Sequence, residues 1–185
     1  NILKSLLPDS KFTLHINSLG QKSDLITYKT GLSKFFNDKK SKLSLESQKK
    51  INSNPLRILD SKNDQDIEVS SLAPSISEFI SKEDKQHFEE IKKGLHYNNI
   101  SFEEDHKLVR GLDYYCSTVF EYKTSNLGSQ DTLLGGGRYD GLISALGGPD
   151  IPGIGWAAGV ERISMLMNDK INVNSEIHLA ITDKK

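Results

Sequence analysis

Glycine and arginine are concentrated in one part of this sequence, in a pattern that favours a site for a phosphate-bearing ligand. Eleven of the fourteen glycines lie between Gly111 and Gly159, and the chain has only four arginines against twenty lysines. Arg110, Arg138 and Arg162 stand beside or within this block. Glycine lets a backbone approach a ligand closely, and a guanidinium offers a planar fork of donors to an anion. A turn-rich domain whose arginines pair with local acids is the alternative.

Arg110 directly precedes Gly111 and a predicted strand, so its guanidinium can reach a ligand with little obstruction. Asp113 is close enough in sequence to orient it. Two interpretations stay open at this point: an arginine that binds a ligand, or a structural Arg110–Asp113 ion pair.

Tyrosines follow the first and second parts of the block. Tyr114 and Tyr115 are adjacent, so an extended backbone would place them on opposite faces, one in the core and one at the site. Tyr139 follows Arg138 and is a second candidate. A phenol hydroxyl both donates and accepts hydrogen bonds, which suits a polar ligand, although buried tyrosines often serve packing alone.

The run Gly135–Gly137 precedes a predicted helix and is therefore expected to present backbone N–H groups to an anion. It lacks the Gly-Lys-Ser/Thr ending of a P-loop, which argues against a Walker-type site. The five histidines and the single cysteine show no metal-ligand spacing, so no metal site is expected.

The periodicity of apolar residues predicts an α+β fold with an antiparallel sheet. Alternation over 12–17 indicates a strand, and helices are expected from about Ser23, over 44–51, and after the capping sequence at Ser81 as far as 98–99. Strands are expected at 117–123, 132–134, 154–158 and 177–182, with helices at about 138–146 and 159–168. Short mixed connections favour an antiparallel sheet over regular βαβ units.

Composition indicates an ordinary globular protein of a reducing compartment. The 185 residues are 36% hydrophobic and 26% charged with a net charge of −1, and Cys116 is the single cysteine. No apolar run approaches the length of a membrane span, so a cytoplasmic location without membrane contact is expected. The chain begins without Met, and we interpret it as a fragment.

Charge is distributed unevenly before residue 100. Residues 29–50 carry seven lysines against two acids, whereas 60–90 carry nine acids against three lysines. A basic stretch of this kind can contact nucleic-acid phosphates, although it is more often a solvated helix face.

Five ordered segments resemble the histidyl-tRNA synthetase family. They are LVRGLDYYCSTVFE (108–121), GGGRYDGL (135–142), GIGWAAGVER (153–162), and upstream HINSLG (15–20) and NPLRILDSKN (54–63). The resemblance covers almost the whole chain and implies part of the class II aminoacyl-tRNA synthetase antiparallel sheet with a mostly helical insertion domain. It divides the chain into a catalytic-domain strand (1–19), the insertion (20–99), catalytic domain with motif 3 (100–170), and a linker with the start of an anticodon-binding domain (171–185).

The resemblance also implies roles for individual residues. Arg110 would stabilise charge on the α-phosphate of ATP during catalysis, and Arg162 would reach the γ-phosphate. The histidine-binding residues would be Tyr114, Tyr115, Tyr139, Gly136 and Gly155. The remaining ATP-binding residues would be Gly153 and Gly159. If the basic stretch contacts tRNA, its contacts would come from Lys39, Lys40, Lys42, Lys49 and Lys50.

The implied activity is that of a histidine–tRNA ligase, which forms histidyl-adenylate from histidine and ATP with Mg²⁺ and transfers histidine to tRNA(His). A homodimer is implied for the full-length protein. Motifs 1 and 2 are absent from the 185 residues, so we expect this piece alone to be inactive. The alternative is a non-catalytic paralogue, such as the regulatory subunit of ATP phosphoribosyltransferase, although a histidine sensor has no need of an α-phosphate clamp.

Overall fold

A five-stranded, mostly antiparallel sheet forms the centre of the protein. The computed structural model describes residues 2–110, 112, 114–128 and 131–167. Its strands are β1 (Thr13–Ser18), β2 (Phe102–Glu104), β3 (Cys116–Lys123), β4 (Thr132–Tyr139) and β5 (Gly153–Ala158). They lie in the order β2-β1-β3-β4-β5, and the β1–β2 pair is parallel while the other three pairs are antiparallel. The predicted α+β class is confirmed.

Helices fill most of the chain between β1 and β2. Those of the described residues are α1 (Ile2–Leu6), α2 (Lys22–Asp38), α3 (Leu45–Lys50), α4 (Leu56–Leu59), α5 (Asp64–Ser70), α6 (Lys82–Tyr97), α7 (Leu142–Ala145) and α8 (Val160–Leu166). Short 3₁₀ turns occupy Lys40–Lys42, Ile76–Glu78 and Ser125–Leu127. The helices expected after Ser23, over 44–51 and after Ser81 are confirmed.

Helix α6 shows how local sequence sets an element that then packs on the sheet. The Ser81 hydroxyl accepts a hydrogen bond from the Asp84 N–H at 3.0 Å, which satisfies a free donor of the first turn. The helix ends at Asn98, and Asn99 adopts a positive φ of 54°. Buried Phe88 packs with Leu14 and Ile16 of β1, so α6 covers one face of the sheet.

The opposite face of the sheet packs against the helices that precede α6. Tyr28, Leu32 and Phe36 of α2 are buried in one apolar cluster with Val119 of β3 and Tyr115. This cluster fixes the helical segment against the same strands that carry the glycine-rich sequence.

Asp66 ties three helical turns together by accepting four hydrogen bonds. Its carboxylate receives the Ser44 N–H at 2.9 Å and the hydroxyls of Ser44, Ser47 and Ser61 at 2.7–2.8 Å. The Asp66 side chain is fully buried without an ion-pair partner among the described residues. Burial acts to raise the pKa of Asp66, but the hydrogen bonds from the serines outweigh it and lower the pKa.

The prediction that Gly135–Gly137 directly precedes a helix over about 138–146 is wrong. Strand β4 continues through the three glycines to Tyr139, and α7 is only the four residues Leu142–Ala145. Strand β4 lies between β3 and β5, so ladder hydrogen bonds on both sides stabilise an extended backbone that local glycine content disfavours. The run therefore lies within a strand and not at the N-terminus of a helix, where its N–H groups would meet an anion.

The strands predicted at 12–17, 117–123 and 154–158 are confirmed with limits shifted by one residue, and the strand predicted at 132–134 extends to 139. The strand expected at 177–182 and the segment 171–185 lie outside the described residues. Within the ranges described, no helix is long and apolar enough to cross a membrane.

Candidate functional site

Two glycines of β4 leave room for an arginine and a tyrosine to lie flat on the sheet. Positions 135 and 137 alternate onto one face of β4. A Cβ at Gly135 would lie 2.7 Å from Nη1 of Arg110, and one at Gly137 would lie 2.9 Å from Cδ1 of Tyr115. Any larger residue at either position would displace a candidate site side chain. The glycine-rich sequence therefore provides the floor of the site.

Strand β5 repeats this arrangement beneath Tyr139. Gly155 pairs with Gly137, and Gly153 pairs with Tyr139 in the β4–β5 register. A Cβ at Gly155 would lie 2.8 Å from the Tyr139 hydroxyl, and one at Gly153 would collide with its ring. The structure thus brings two of the predicted glycines into contact with a predicted tyrosine.

Tyr114, Tyr115 and Tyr139 form a tyrosine cluster on this face. The ring centroids of Tyr114 and Tyr115 are 4.5 Å apart. The ring centroid of Tyr139 lies 5.7 Å from that of Tyr114 and 6.3 Å from that of Tyr115. The expectation that Tyr114 and Tyr115 point to opposite faces is wrong, because Tyr114 lies in a turn before β3 and not in an extended segment. A hydrogen bond with Tyr115, and then burial, raises the pKa of Tyr114. The cluster offers phenol hydroxyls, which can both donate and accept hydrogen bonds.

Arg110 lies beside the tyrosine cluster and is held by Glu121 of β3. Its Nη1 donates to Oε1 of Glu121, and its guanidinium carbon is 5.6 Å from the centroid of the Tyr115 ring. Its Nε is buried without an acceptor among the described residues. The alternative partner from the sequence, Asp113, lies outside those residues. The Nη1 of the guanidinium is thus fixed by Glu121, while Nε remains a donor without an acceptor among the described residues.

Glu121 and Thr132 connect Arg110 to Arg162. The Thr132 hydroxyl donates to Oε2 of Glu121 at 3.1 Å, and the Thr132 carbonyl accepts from Nη1 of Arg162 at 2.6 Å. Arg110 and Arg162 are thereby linked through two intervening residues on adjacent strands. A shift of either guanidinium would therefore break one of the hydrogen bonds that join Arg110, Glu121, Thr132 and Arg162.

Gly159 sets the position of Arg162 at the start of α8. It is the N-cap of the helix, and its N–H donates to the Leu133 carbonyl at 2.9 Å. A Cβ at Gly159 would lie 3.3 Å from Cδ of Arg162, so the absence of a side chain allows the arginine to fold back towards β4. Ile163 anchors the helix in an apolar cluster with Leu133.

Three residues of the glycine-rich block lie on the other face of the sheet. Gly136 pairs with Phe120 and Trp156, and a Cβ there would lie 2.7 Å from Cα of Trp156. Arg138 alternates to the same side and donates to Asp140 at 2.8 Å. Cys116 pairs with Arg138 and is buried, and burial raises the pKa of its thiol. The structure does not bring these residues to the tyrosine cluster.

The lysines predicted to contact tRNA lie at the C-cap of α2, in the 3₁₀ turn that follows, and on α3. Lys40, Lys42 and Lys49 are exposed. Lys39 is half-buried with its Nζ 4.6 Å from the centroid of the Phe35 ring, and Lys50 pairs with Glu46 at 2.6 Å. None of these residues is part of the tyrosine cluster.

Sequence reasoning assigned no role to two residues that the structure places at Arg110. Glu121 holds its guanidinium, and Arg57 lines a cleft of about 250 Å³ together with Arg110 and Glu121. Glu121 was within the LVRGLDYYCSTVFE segment, but no local pattern marks it as a partner eleven residues away. Arg57 carried a usable signal, because it is one of only four arginines.

Comparison with protein families gives a match over most of the described sheet and its helices. The family model described as "Histidyl-tRNA synthetase" matches residues 44–163. Within the described residues, no group of three or more His, Cys, Asp or Glu could hold a metal ion.

Curated relatives and solved structures agree with this match. The chain is 46% identical over 168 residues to the histidine–tRNA ligase of Ehrlichia ruminantium, covering 91% of this chain and 41% of that protein. It is 51% identical over 159 residues to that of Prochlorococcus marinus, covering 86% and 38%. The crystal structure of apo S. aureus histidyl-tRNA synthetase superposes with a TM-score of 0.64 at 33% identity, covering 89% of this chain and 40% of that one. The chain spans about two fifths of the length of these relatives.

Proposed function

The chain belongs to the histidyl-tRNA synthetase family, and from this we propose that it is part of a histidine–tRNA ligase. The full-length protein joins histidine to ATP as histidyl-adenylate and transfers the histidyl group to tRNA(His). Mg²⁺ enters as part of the ATP complex. The observation that carries the proposal is the Arg110 guanidinium, with an unused donor, beside Tyr115 in a cluster of three tyrosines above strand glycines.

The tyrosine cluster is the proposed histidine site. Imidazole presents one N–H donor and one acceptor nitrogen, and the hydroxyls of Tyr115 and Tyr139 can satisfy both. Gly155 gives the ligand access beside Tyr139. Gly136, predicted as a further histidine contact, lies on the far face of β4, so the observed geometry gives no support to that role.

Arg110 is the proposed stabiliser of the activation step. A histidine carboxylate oxygen attacks the α-phosphorus, the bond to the bridging oxygen breaks, and pyrophosphate leaves with its electron pair. Negative charge develops on the non-bridging oxygens, where a fixed guanidinium lowers the barrier. Glu121 and the Tyr115 ring hold Arg110 in one orientation, so little reorganisation is needed during the reaction.

Arg162, Gly153 and Gly159 form the proposed remainder of the ATP site. Arg162 is linked to Arg110 by hydrogen bonds through Thr132 and Glu121. It would exchange its bond to the Thr132 carbonyl for a γ-phosphate oxygen, which is the stronger, charge-assisted acceptor.

The proposal includes the domain division given by the resemblance, with 20–99 as an insertion whose basic residues contact tRNA. The many helices between β1 and β2 support this division. A homodimer and a cytoplasmic location are proposed for the full-length protein on family grounds.

Histidine-dependent ATP–pyrophosphate exchange by the full-length protein tests the function. We expect Tyr115→Phe and Tyr139→Phe to raise KM for histidine at least tenfold with a smaller effect on KM for ATP, because each leaves an imidazole nitrogen without its partner. A Tyr97→Phe variant is the matched control, since Tyr97 is exposed at the end of α6. Retained histidine binding without any exchange would favour the histidine-sensing alternative. The 185-residue chain alone is expected to show no exchange.

A further inference from the structure

Helix α4 holds Arg57 in a fixed outward position. The helix is only four residues long, but Leu56, Ile58 and Leu59 on it are buried in the main apolar cluster. Pro55 precedes them with a φ of −61°, which restricts the backbone at the start of the helix. Arg57 is the one residue of α4 that is exposed. Its backbone is therefore rigid while its guanidinium is free to meet a ligand.

Arg57 is also the only arginine without an acceptor within the described ranges. Arg110 is bonded to Glu121, Arg138 to Asp140, and Arg162 to a backbone carbonyl. Among the acids that line the same clefts, Asp66 is saturated by serine donors, Glu46 pairs with Lys50, and Glu121 pairs with Arg110. Asp60 lines both clefts beside Arg57 but forms no ion pair with it. An unpaired guanidinium retains all five donors for an anion.

Two adjoining clefts meet at Arg57. The first has a volume of about 250 Å³ and is lined by Leu56, Arg57, Asp60, Val109, Arg110 and Glu121. The second has a volume of about 400 Å³, shares Arg57 and Asp60, and is also lined by Lys50 and Lys62. Basic side chains thus lie along both clefts from Lys50 and Lys62 through Arg57 to Arg110, with an equal number of acids among them. Of the two arginines, Arg57 is the one that no acid of the described residues holds.

The position of the two clefts relative to the proposed ATP site indicates whether their phosphate ligand is ATP or the second substrate. The proposed ATP site extends from Arg110 towards Arg162, along β4 and α8. The clefts connect Arg110 with α4 and with Lys50 of α3, and neither is lined by Thr132 or Arg162. A polyanion arriving from the helical segment would cross Arg57 before it reached Arg110, and a phosphodiester suits a planar guanidinium.

We propose that Arg57 binds a backbone phosphate of the tRNA acceptor end and directs that end into the Arg110 cleft. This role rests on the proposed function, since it takes tRNA as the second substrate. Arg57 would be a single phosphate-binding residue at the entrance of the Arg110 cleft, and its ligand would be tRNA and not ATP.

The test compares Arg57→Ala, Arg57→Lys and Lys85→Ala in the full-length protein. Lys85 is exposed on α6 and lines neither cleft, so its removal controls for loss of one positive charge. Filter binding gives the tRNA affinity over a series of salt concentrations, pyrophosphate exchange gives KM for ATP, and a melting curve reports folding. Because filter binding measures tRNA affinity directly, it tests the role of Arg57 whether or not the protein catalyses pyrophosphate exchange. Absence of exchange would instead count against the proposed function.

We expect Arg57→Ala to weaken tRNA binding about tenfold and to reduce the slope of log affinity against log salt by about 0.7–0.9, the loss of one phosphate contact. Arg57→Lys keeps the slope but recovers only part of the affinity, because an ammonium cannot make the two-pronged contact. KM for ATP and the melting temperature stay at wild-type values. Binding and slope equal to those of Lys85→Ala would overturn the proposal, and so would a raised KM for ATP.

Discussion

Replacing Arg110 by Ala in the full-length protein is expected to slow adenylate formation by about 10²–10³, or about 2.7–4 kcal/mol of transition-state stabilisation. The magnitude follows from the geometry. The Nη1 of the guanidinium is fixed on Glu121, its Cζ lies 5.6 Å from the centroid of the Tyr115 ring, and its buried Nε has no acceptor among the described residues. The arginine is therefore a preorganised donor. KM for histidine should change little, because the stabilised charge develops only during the reaction.

A double-mutant cycle with Glu121 separates positioning from an independent role. If Glu121 acts by holding Arg110, Glu121→Gln alone slows the reaction about tenfold, and the double variant with Arg110→Ala is no slower than Arg110→Ala alone. Arg110→Lys should rescue poorly, because lysine has no fork to divide between Glu121 and a phosphate.

Single-turnover formation of histidyl-adenylate at saturating ATP is the assay, with a melting curve for each variant. An Arg110→Ala protein with normal chemistry and a lowered melting temperature would refute the reasoning and leave Arg110 as the structural partner of Glu121. If the rate reduction of the double variant equals the product of the two single reductions, Glu121 acts on the substrates independently of Arg110.

Four further outcomes are expected. Asp66→Asn should lower the free energy of unfolding by about 2 kcal/mol at neutral pH, because an amide N–H₂ replaces an oxygen that accepts three hydroxyls. The folded pKa of Asp66 lies below its unfolded value of about 3.9, so this difference persists above that pH and shrinks as pH falls through the folded pKa in acid denaturation. Gly136→Ala should lower the free energy of unfolding by about 2 kcal/mol, because the new Cβ would clash with the Gly155 carbonyl and with Trp156. Gly94→Ala, with open space around it, should be neutral or stabilising in the same melting experiment. Cys116 should react with a thiol reagent only after denaturant is added, and fast labelling of the native protein would contradict its burial. Neutralising the lysines proposed to contact tRNA should raise KM for tRNA and flatten its salt dependence, while pyrophosphate exchange stays unchanged. An unaltered salt dependence would show that these lysines are only a solvated surface. The residues to replace are Lys39, Lys40, Lys42, Lys49 and Lys50.

The sequence by itself determined those features whose signals are local. The serine at 81 with its acids predicts where α6 begins, and the two asparagines at 98–99 predict where it ends, because caps act within one helical turn. Alternation over 12–17 predicts β1 in the same way. The five family segments identified the site residues as a set, and their roles remain proposals.

Tertiary structure decided the features that depend on residues far apart in the chain. The run Gly135–Gly137 is a strand because β3 and β5 supply hydrogen bonds from both sides, although glycine alone favours a turn. Tyr114 and Tyr115 lie against each other because the chain turns before β3 and Tyr139 packs on both rings. Glu121 becomes the partner of Arg110 only when β3 pairs with β4 beneath it. Side-chain partners across strands are set by register, and register is fixed by pairing between distant segments, which local sequence does not encode.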